Sequence, residues 1–314
     1  MVAPPVPTVE ATAPRTAPVR RGRRRRLTAR DILVLSVVVG VTVVLDLALI
    51  WGTSVVSVLL SFTNYDGISP IKWVGIKNYH DILTINPEFG TAVRNNLLWL
   101  VFLGLIATPF GIFLAVLLDR QLRFSRFYQS ALYLPVALSL AVIGFLTQLI
   151  LSQDQGVVNA ILGRTHGNGI DFLGDSRLNI WMVLLFAGWR HVGYIMILYL
   201  AGLKSVDPAL KEAAVIDGAN PVQTFLRVVF PAMRPINVIV LVITVIESLR
   251  AFDIVYAINT GRNGLQLLSV LVVDNIIGEA SRIGYGSAIA VMLMLVTLGF
   301  VITYLVNILR EDSR

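Results

Sequence analysis

Six stretches of this chain are long and apolar enough to cross a lipid bilayer, and this limits the fold more than any motif does. They run approximately over residues 32–60, 92–118, 127–151, 178–203, 236–258 and 287–309. Crossing roughly 30 Å of hydrocarbon takes about 20 helical residues. Hydrocarbon cannot satisfy a bare N–H or C=O, so each stretch is expected to be a helix. The composition agrees: 56% of residues are hydrophobic and 14% charged, against about 25% charged in soluble domains. The expected fold class is therefore an all-α integral membrane protein with six transmembrane helices.

Lys and Arg are unevenly shared between the connections. The tail, Arg120, Arg123, Arg126, Lys204, Lys211, Arg227, Arg234, Arg310 and Arg314 fall on one side. Fewer fall on the other: Lys72, Lys77, Arg94, Arg164, Arg177, Arg262 and Arg282. The positive-inside rule predicts a multi-pass protein with both termini in the cytoplasm. Residues 1–30 form a basic tail, expected to be disordered, ending in the Arg20–Arg26 run RRGRRRR. That run is read as a topogenic cluster in contact with the bilayer surface, not as a nucleic-acid site, because no aromatic or folded module accompanies it. A twin-arginine signal is rejected, since the apolar stretch after it is about twice the length of a signal core.

Several chemistries are excluded. There is no cysteine, and the three histidines lack metal-ligand spacing. No phosphate-cradling G-x-x-x-x-G-K-[ST], H-E-x-x-H or G-x-S-x-G occurs. The glycine-rich GRTHGNG at 163–169 lacks the lysine and reads as a loop. The expectation is a non-enzyme.

Between the fourth and fifth apolar stretches, residues 204–235 change character. Asp207 is a candidate N-cap with Pro208 at the first helical position, and Gly218 is a left-handed terminator for PALKEAAVID. Asn220-Pro221 repeats the start signal for a second short helix, PVQTFLRVVF, expected to end near Pro231. The small side chains Ala209, Ala213 and Ala214 let the first helix approach another surface, and Glu212 and Asp217 put charge on it. A plain amphipathic interfacial helix and a docking helix both remain open on these grounds.

The sequence EAAVIDGANPVQTFLRVVFPAMRP resembles the EAA loop of ABC-importer permeases, through Glu212, Ala213, Ala214, Asp217, Gly218, Ala219, Phe225, Pro231 and Pro235. Its Asp-Gly-Ala form is similar to the carbohydrate-importing, maltose-permease-like branch. Further matches are SFTNYDG…KWVGIKNY, YLPVALS, WRHVGYIMILYLAGLKSVDPAL, AFDIVYAINTG and GYGSAIAVMLML. The resemblance implies a type I ABC importer permease fold over 31–314 with a cytoplasmic EAA-type coupling helix. It implies that Glu212, Ala213, Ala214, Asp217, Gly218 and Ala219 dock on a cytoplasmic ATP-binding subunit. The implied partners are a second homologous permease, two ATP-binding subunits and an extracellular solute-binding (lipo)protein. No cofactor is expected in this chain, ATP and Mg belonging to the ATPase subunits. The implied location is the plasma or inner membrane of a prokaryote. Two departures argue against maltose itself: TGRNG replaces the usual T-x-G-G-P, and VIESLRAFDIV lacks an Asn-rich lining.

Polar groups inside apolar stretches are costly and face a bundle interior or a cavity. Asp46 reads as structural. Glu247, Arg250 and Asp253, spaced i, i+3 and i+6, are expected on one helix face, with an intrahelical Glu247–Arg250 or Arg250–Asp253 pair. A hydroxylated substrate needs hydrogen-bonding groups and aromatic faces. Trp189, Tyr194, Phe252 and Tyr256 supply rings, and Thr147, Gln148, Arg190, Glu247 and Ser248 supply polar contacts. The resemblance adds Val136, Leu140, Arg190 and His191 as lining. Mutual neutralisation between helices and a substrate path are both consistent with these residues. Two other classes are weaker: an ion-coupled transporter, for which no internal repeat is visible, and a membrane enzyme using Asp46, His191 or Glu247. Loops 64–82, 152–177 and 260–286 are expected to carry short interfacial helices and possible docking surface for an outside partner.

Overall fold

The computed structural model describes residues 28–120, 123–164, 167–278 and 281–312. The expected disordered tail, up to residue 27 and including Arg20–Arg26, lies outside the described residues. The chain forms two units, residues 1–53 and 54–314. Helix α1, residues 29–60, begins in the first. Its side chains Leu33, Val38, Val44, Leu49 and Trp51 are exposed, as lipid-facing groups are. Asp46 is exposed as well.

The second unit continues with α2 (Lys77–Thr84), α3 (Pro87–Asp119), α4 (Ser125–Tyr133), α5 (Leu140–Leu151), α6 (Val157–Ile161) and α7 (Asn179–Ser205). Then come α8 (Pro208–Ile216), a second short helix over 221–232, α9 (Arg234–Leu249), α10 (Asp253–Asn259), α11 (Leu268–Ile276) and α12 (Ile283–Asp312). Among the described residues there is no strand, only an isolated bridge between Thr63 and Trp73. The expected short loop helices are present as α2, α6 and α11. In the loop before α2, Asp66 accepts from the Ser69 hydroxyl and from the Ile68 and Ser69 amides. The hydroxyl leads in holding its carboxyl down at about 2.

Helix α7 is the centre of the second unit. One end packs Val183, Leu184 and Ala187 with Trp99 and Leu103 of α3, Ile143 of α5 and Ile254 and Val255 of α10. The other end packs Met196, Tyr199 and Leu203 with Ala115 and Leu118 of α3 and Val240 of α9. Small residues allow this closeness. A Cβ on Gly111 of α3 would sit 2.9 Å from the Ile195 Cβ of α7, and one on Gly144 of α5 would sit 2.8 Å from the Ile254 carbonyl oxygen of α10.

Four described helices are long and apolar enough to cross a membrane: α1, α3, α7 and α12, within Leu33–Leu60, Pro87–Asp119, Asn179–Ser205 and Ile283–Tyr304. The other two expected spans are broken. The 127–151 stretch bends by 97° between Ser125–Ala137 and α5. Pro135 closes a 3-10 turn, Leu138 is extended, and the Ser139 side chain caps α5 by accepting from the Val142 amide. Counted as one span, this pair makes a fifth. The 236–258 stretch stops at Leu249 and restarts at Asp253. Its first part, α9, has 16 residues, about 24 Å at 1.5 Å per residue.

A helix end at this depth must find partners for its carbonyls. Asn96 of α3 supplies them: its amide donates to the Ser248 and Leu249 carbonyls, and its own oxygen accepts from the Leu268 amide at 3.0 Å. The Ser269 hydroxyl donates to the Ala251 carbonyl.

Candidate functional site

Two places gather the singled-out residues. In the first, Glu247 of α9 meets α7. Its Oε2 lies 2.9 Å from His191 Nδ1 and its Oε1 lies 3.2 Å from Arg190 Nη1. An ionised carboxylate only accepts, so His191 Nδ1 carries the proton donated to Glu247. His191 Nε2 lies 3.0 Å from the Thr108 hydroxyl of α3 and 3.3 Å from that of Thr244. Thr244 donates its own proton to the Val240 carbonyl. Thr108 follows a π-helical turn over Leu103–Ala107 and precedes Pro109, whose missing N–H the widened turn accommodates. Three helices are thus tied together by one buried imidazole, only 1% exposed.

The expected intrahelical pairs are not formed. Glu247 pairs across to α7, and the break after Leu249 puts Asp253 on a separate helix. Among the described residues neither Arg250 nor Asp253 has an ion-pair partner, and both are exposed.

Beside this cluster lies a cavity of about 180 Å³. Trp99, Leu140, Arg190, Glu247, Arg250 and Asp253 are among the residues lining it. Arg250 and Asp253 also line a second cavity of about 540 Å³ together with Phe252. Phe252 stacks on Tyr256 with centroids 4.8 Å apart. So Leu140, Arg190, Glu247, Arg250 and Asp253 converge, with Phe252 and Tyr256 adjacent. The others do not line the first cavity. His191 stands behind Glu247, Val136 sits against Gly193, Tyr194 packs into the second core cluster, and Trp189 is exposed elsewhere on α7. Thr147, Gln148 and Ser248 serve the backbone instead. Thr147 donates to the Ile143 carbonyl, Ser248 to that of Thr244, and Gln148 to those of Ala257 and Ile258. Thr108, Thr244 and Trp99 were not singled out from sequence; the hydroxyl of a Thr-Pro step inside an apolar stretch was the available signal.

The second place is the 204–235 loop. The Asp207 side chain accepts from the Ala209 amide, and α8 ends at Asp217 with Gly218 at φ +80°. Asn220 and Gln223 form a reciprocal capping box. The second helix ends at Ala232, one residue beyond Pro231 and so where expected. A π turn over Phe225–Val229 precedes the proline, and such a turn has room for the residue that donates no bond. On α8, Ala214 is buried and Ala219, just beyond it, half-buried, whereas Glu212, Ala213, Asp217 and Gly218 are exposed. Val215 and Ile216 are exposed beside them, Ile216 at 85%. This face combines acid with uncovered apolar surface.

Residues 107–314 match the family described as binding-protein-dependent transport system inner membrane component. The xylose/arabinose import permease protein XacH of Haloferax volcanii is 33% identical over 275 residues, covering 85% of each chain. The arabinooligosaccharides transport system permease protein AraP of Bacillus subtilis is 31% identical over 73% of this chain and 74% of its own. The osmoprotective compounds uptake permease protein GgtC of a Synechocystis species is 31% identical over 79% of this chain and 88% of its own. Among solved structures, a bacterial ABC transporter that imports the acidic polysaccharide alginate superposes with a TM-score of 0.75 at 22% identity, covering 91% of this chain and 97% of that one.

Proposed function

The chain belongs to the family of binding-protein-dependent transport system inner membrane components, and from that premise we propose that it is the permease subunit of an ATP-driven importer of a sugar or oligosaccharide. It is a multi-pass membrane protein, with both termini on the cytoplasmic side in this reading. Its assembly comprises a second homologous permease, two ATP-binding subunits and an extracellular solute-binding protein. ATP and Mg are bound by the ATP-binding subunits. The observation that carries the reading is the capped helix α8, which leaves Glu212 and the apolar Val215 and Ile216 uncovered side by side. A short helix with this face suits a protein groove that covers it, and closure of two ATP-binding subunits would move it as a rigid body. Glu212, Ala213, Asp217 and Gly218 form this contact, while the buried Ala214 and half-buried Ala219 seat the helix on its own chain. Leu140, Arg190, Glu247, Arg250, Phe252, Asp253 and Tyr256 contribute to the substrate path, where guanidinium and carboxylate groups bind hydroxyls and the stacked rings offer a flat apolar face. Of the remaining path candidates, His191 holds Glu247 from behind, whereas Val136, Trp189 and Tyr194 lie away from the cavity.

Glu212→Lys tests this. The variant is expected to insert into the membrane normally, to lose co-purification with the ATP-binding subunits and to abolish ATP-dependent uptake in vesicles. Normal transport by this variant overturns the docking claim, and uptake driven by an ion gradient without ATP overturns the importer class. The likeness to an osmoprotectant permease favours a second reading of the cargo, a polyol or other small non-sugar solute. Screening sugars and polyols against the co-assembling solute-binding protein separates the two.

A further inference from the structure

The neighbour of Glu212 faces the other way. Lys211 Nζ lies 3.3 Å from Asp119 Oδ2, on the last residue of α3. It also lies 3.5 Å from the carbonyl oxygen of Leu203, in the last turn of α7. Both acceptors sit at helix C-termini, where the backbone dipole adds negative potential and a cation is favoured. Side-chain exposures of 34% and 27% place this link at the edge of the packed body. One ammonium thus joins α8 to two long helices.

These are the helices that hold the mid-span cluster. Thr108 lies on α3, Arg190 and His191 lie on α7, and all three bear on Glu247 or its imidazole partner. Along α7 the distance from Leu203 to His191 is roughly 18 Å, and along α3 from Asp119 to Thr108 roughly 16 Å, at 1.5 Å per residue. We infer that Lys211 is a positioning residue that fastens the α8 lever to α3 and α7 through Asp119 and the Leu203 carbonyl, so that displacement of α8 reaches the Arg190–His191–Glu247 cluster. The inference rests on the proposed docking of α8 to an ATP-binding subunit. It assigns the second half of the linkage, from α8 into the membrane, which that proposal leaves open. A rigid connection with two discrete arrangements is the physical requirement for such transmission.

The test uses the complete transporter in proteoliposomes with its loaded solute-binding protein. Lys211→Ala and Asp119→Asn are expected to keep the ATP-binding subunits bound and hydrolysing ATP. Uptake per ATP is expected to fall about tenfold. Lys211→Arg is expected to restore the ratio, and the exchanged pair Lys211→Asp with Asp119→Lys to restore it in part, because a carboxylate at 211 cannot donate to the Leu203 carbonyl. A purely packing role would not be rescued by exchanging the charges. The inference is overturned if Lys211→Ala keeps the wild-type ratio, if it sheds the ATP-binding subunits, or if neither Lys211→Arg nor the exchanged pair recovers uptake. If the wild-type chain itself binds no ATP-binding subunit, the docking reading fails instead.

Discussion

Glu247 and Arg250 are three residues apart, yet the structure gives them opposite physical situations. Glu247 is held by two donors from α7, whereas Arg250 has no ion-pair partner among the described residues and lies exposed at two cavities. Removing the Glu247 charge leaves Arg190 poorly solvated and unpaired. Glu247→Gln is therefore expected to cost about 2 kcal/mol, below the fully buried range because the pair is partly exposed. The cost would appear as a lower Tm of the detergent-solubilised complex. Arg250→Gln is expected to leave Tm nearly unchanged and to raise the substrate concentration for half-maximal uptake. The reverse pattern would mean that Arg250 is the structural charge and Glu247 the substrate contact. The sequence made all these charges visible but not their partners. Helical spacing favours Glu247–Arg250, whereas the partners Glu247 takes, Arg190 and His191, lie 57 and 56 residues away in sequence.

At the scale of elements, hydropathy located the long helices α1, α3, α7 and α12 to within a few residues, because lipid requires nothing more than continuous apolar helix. It missed the two interruptions because their flanks stay apolar. The Ser139 cap is one hydroxyl in YLPVALSLAV, and the end of α9 depends on Asn96, which is 152 residues away from Ser248 in sequence. The short helices α8 and 221–232 were legible for the opposite reason: their start signals, Asp207-Pro208 and Asn220-Pro221, and the Gly218 stop that ends α8 are local. Asn96→Leu tests the long-range cap. It fills similar space but orphans the Ser248 carbonyl and the Leu268 amide, at about 1–3 kcal/mol for each group left unsatisfied. Hydrogen exchange of the Leu268 amide is expected to accelerate and α9 to fray at Ser248–Leu249. Unchanged protection at Leu268 would show that the backbone end is satisfied some other way.

At the scale of the molecule, residues 54–314 place an exposed acidic-apolar helix at one end of α3 and α7 and a cavity beside the Arg190–His191–Glu247 cluster further along the same two helices. If these helices transmit as rigid rods, the link at Lys211 and the grip at His191 act in series. Breaking either one disconnects α8 from the cavity, and breaking the second then removes little more. Lys211→Ala combined with His191→Ala should therefore lower uptake per ATP scarcely further than the worse single variant. Independent sites would multiply their deficits, since separated substitutions usually add in free energy. The cycle needs all four proteins assembled with ATP-binding subunits, measured at saturating solute-binding protein, so that assembly and ligand delivery cancel. A multiplicative double-variant deficit would show that α8 reaches the cavity by a route other than α3 and α7. The segment 225–229 that packs against α8 and leads into α9 is the structural alternative.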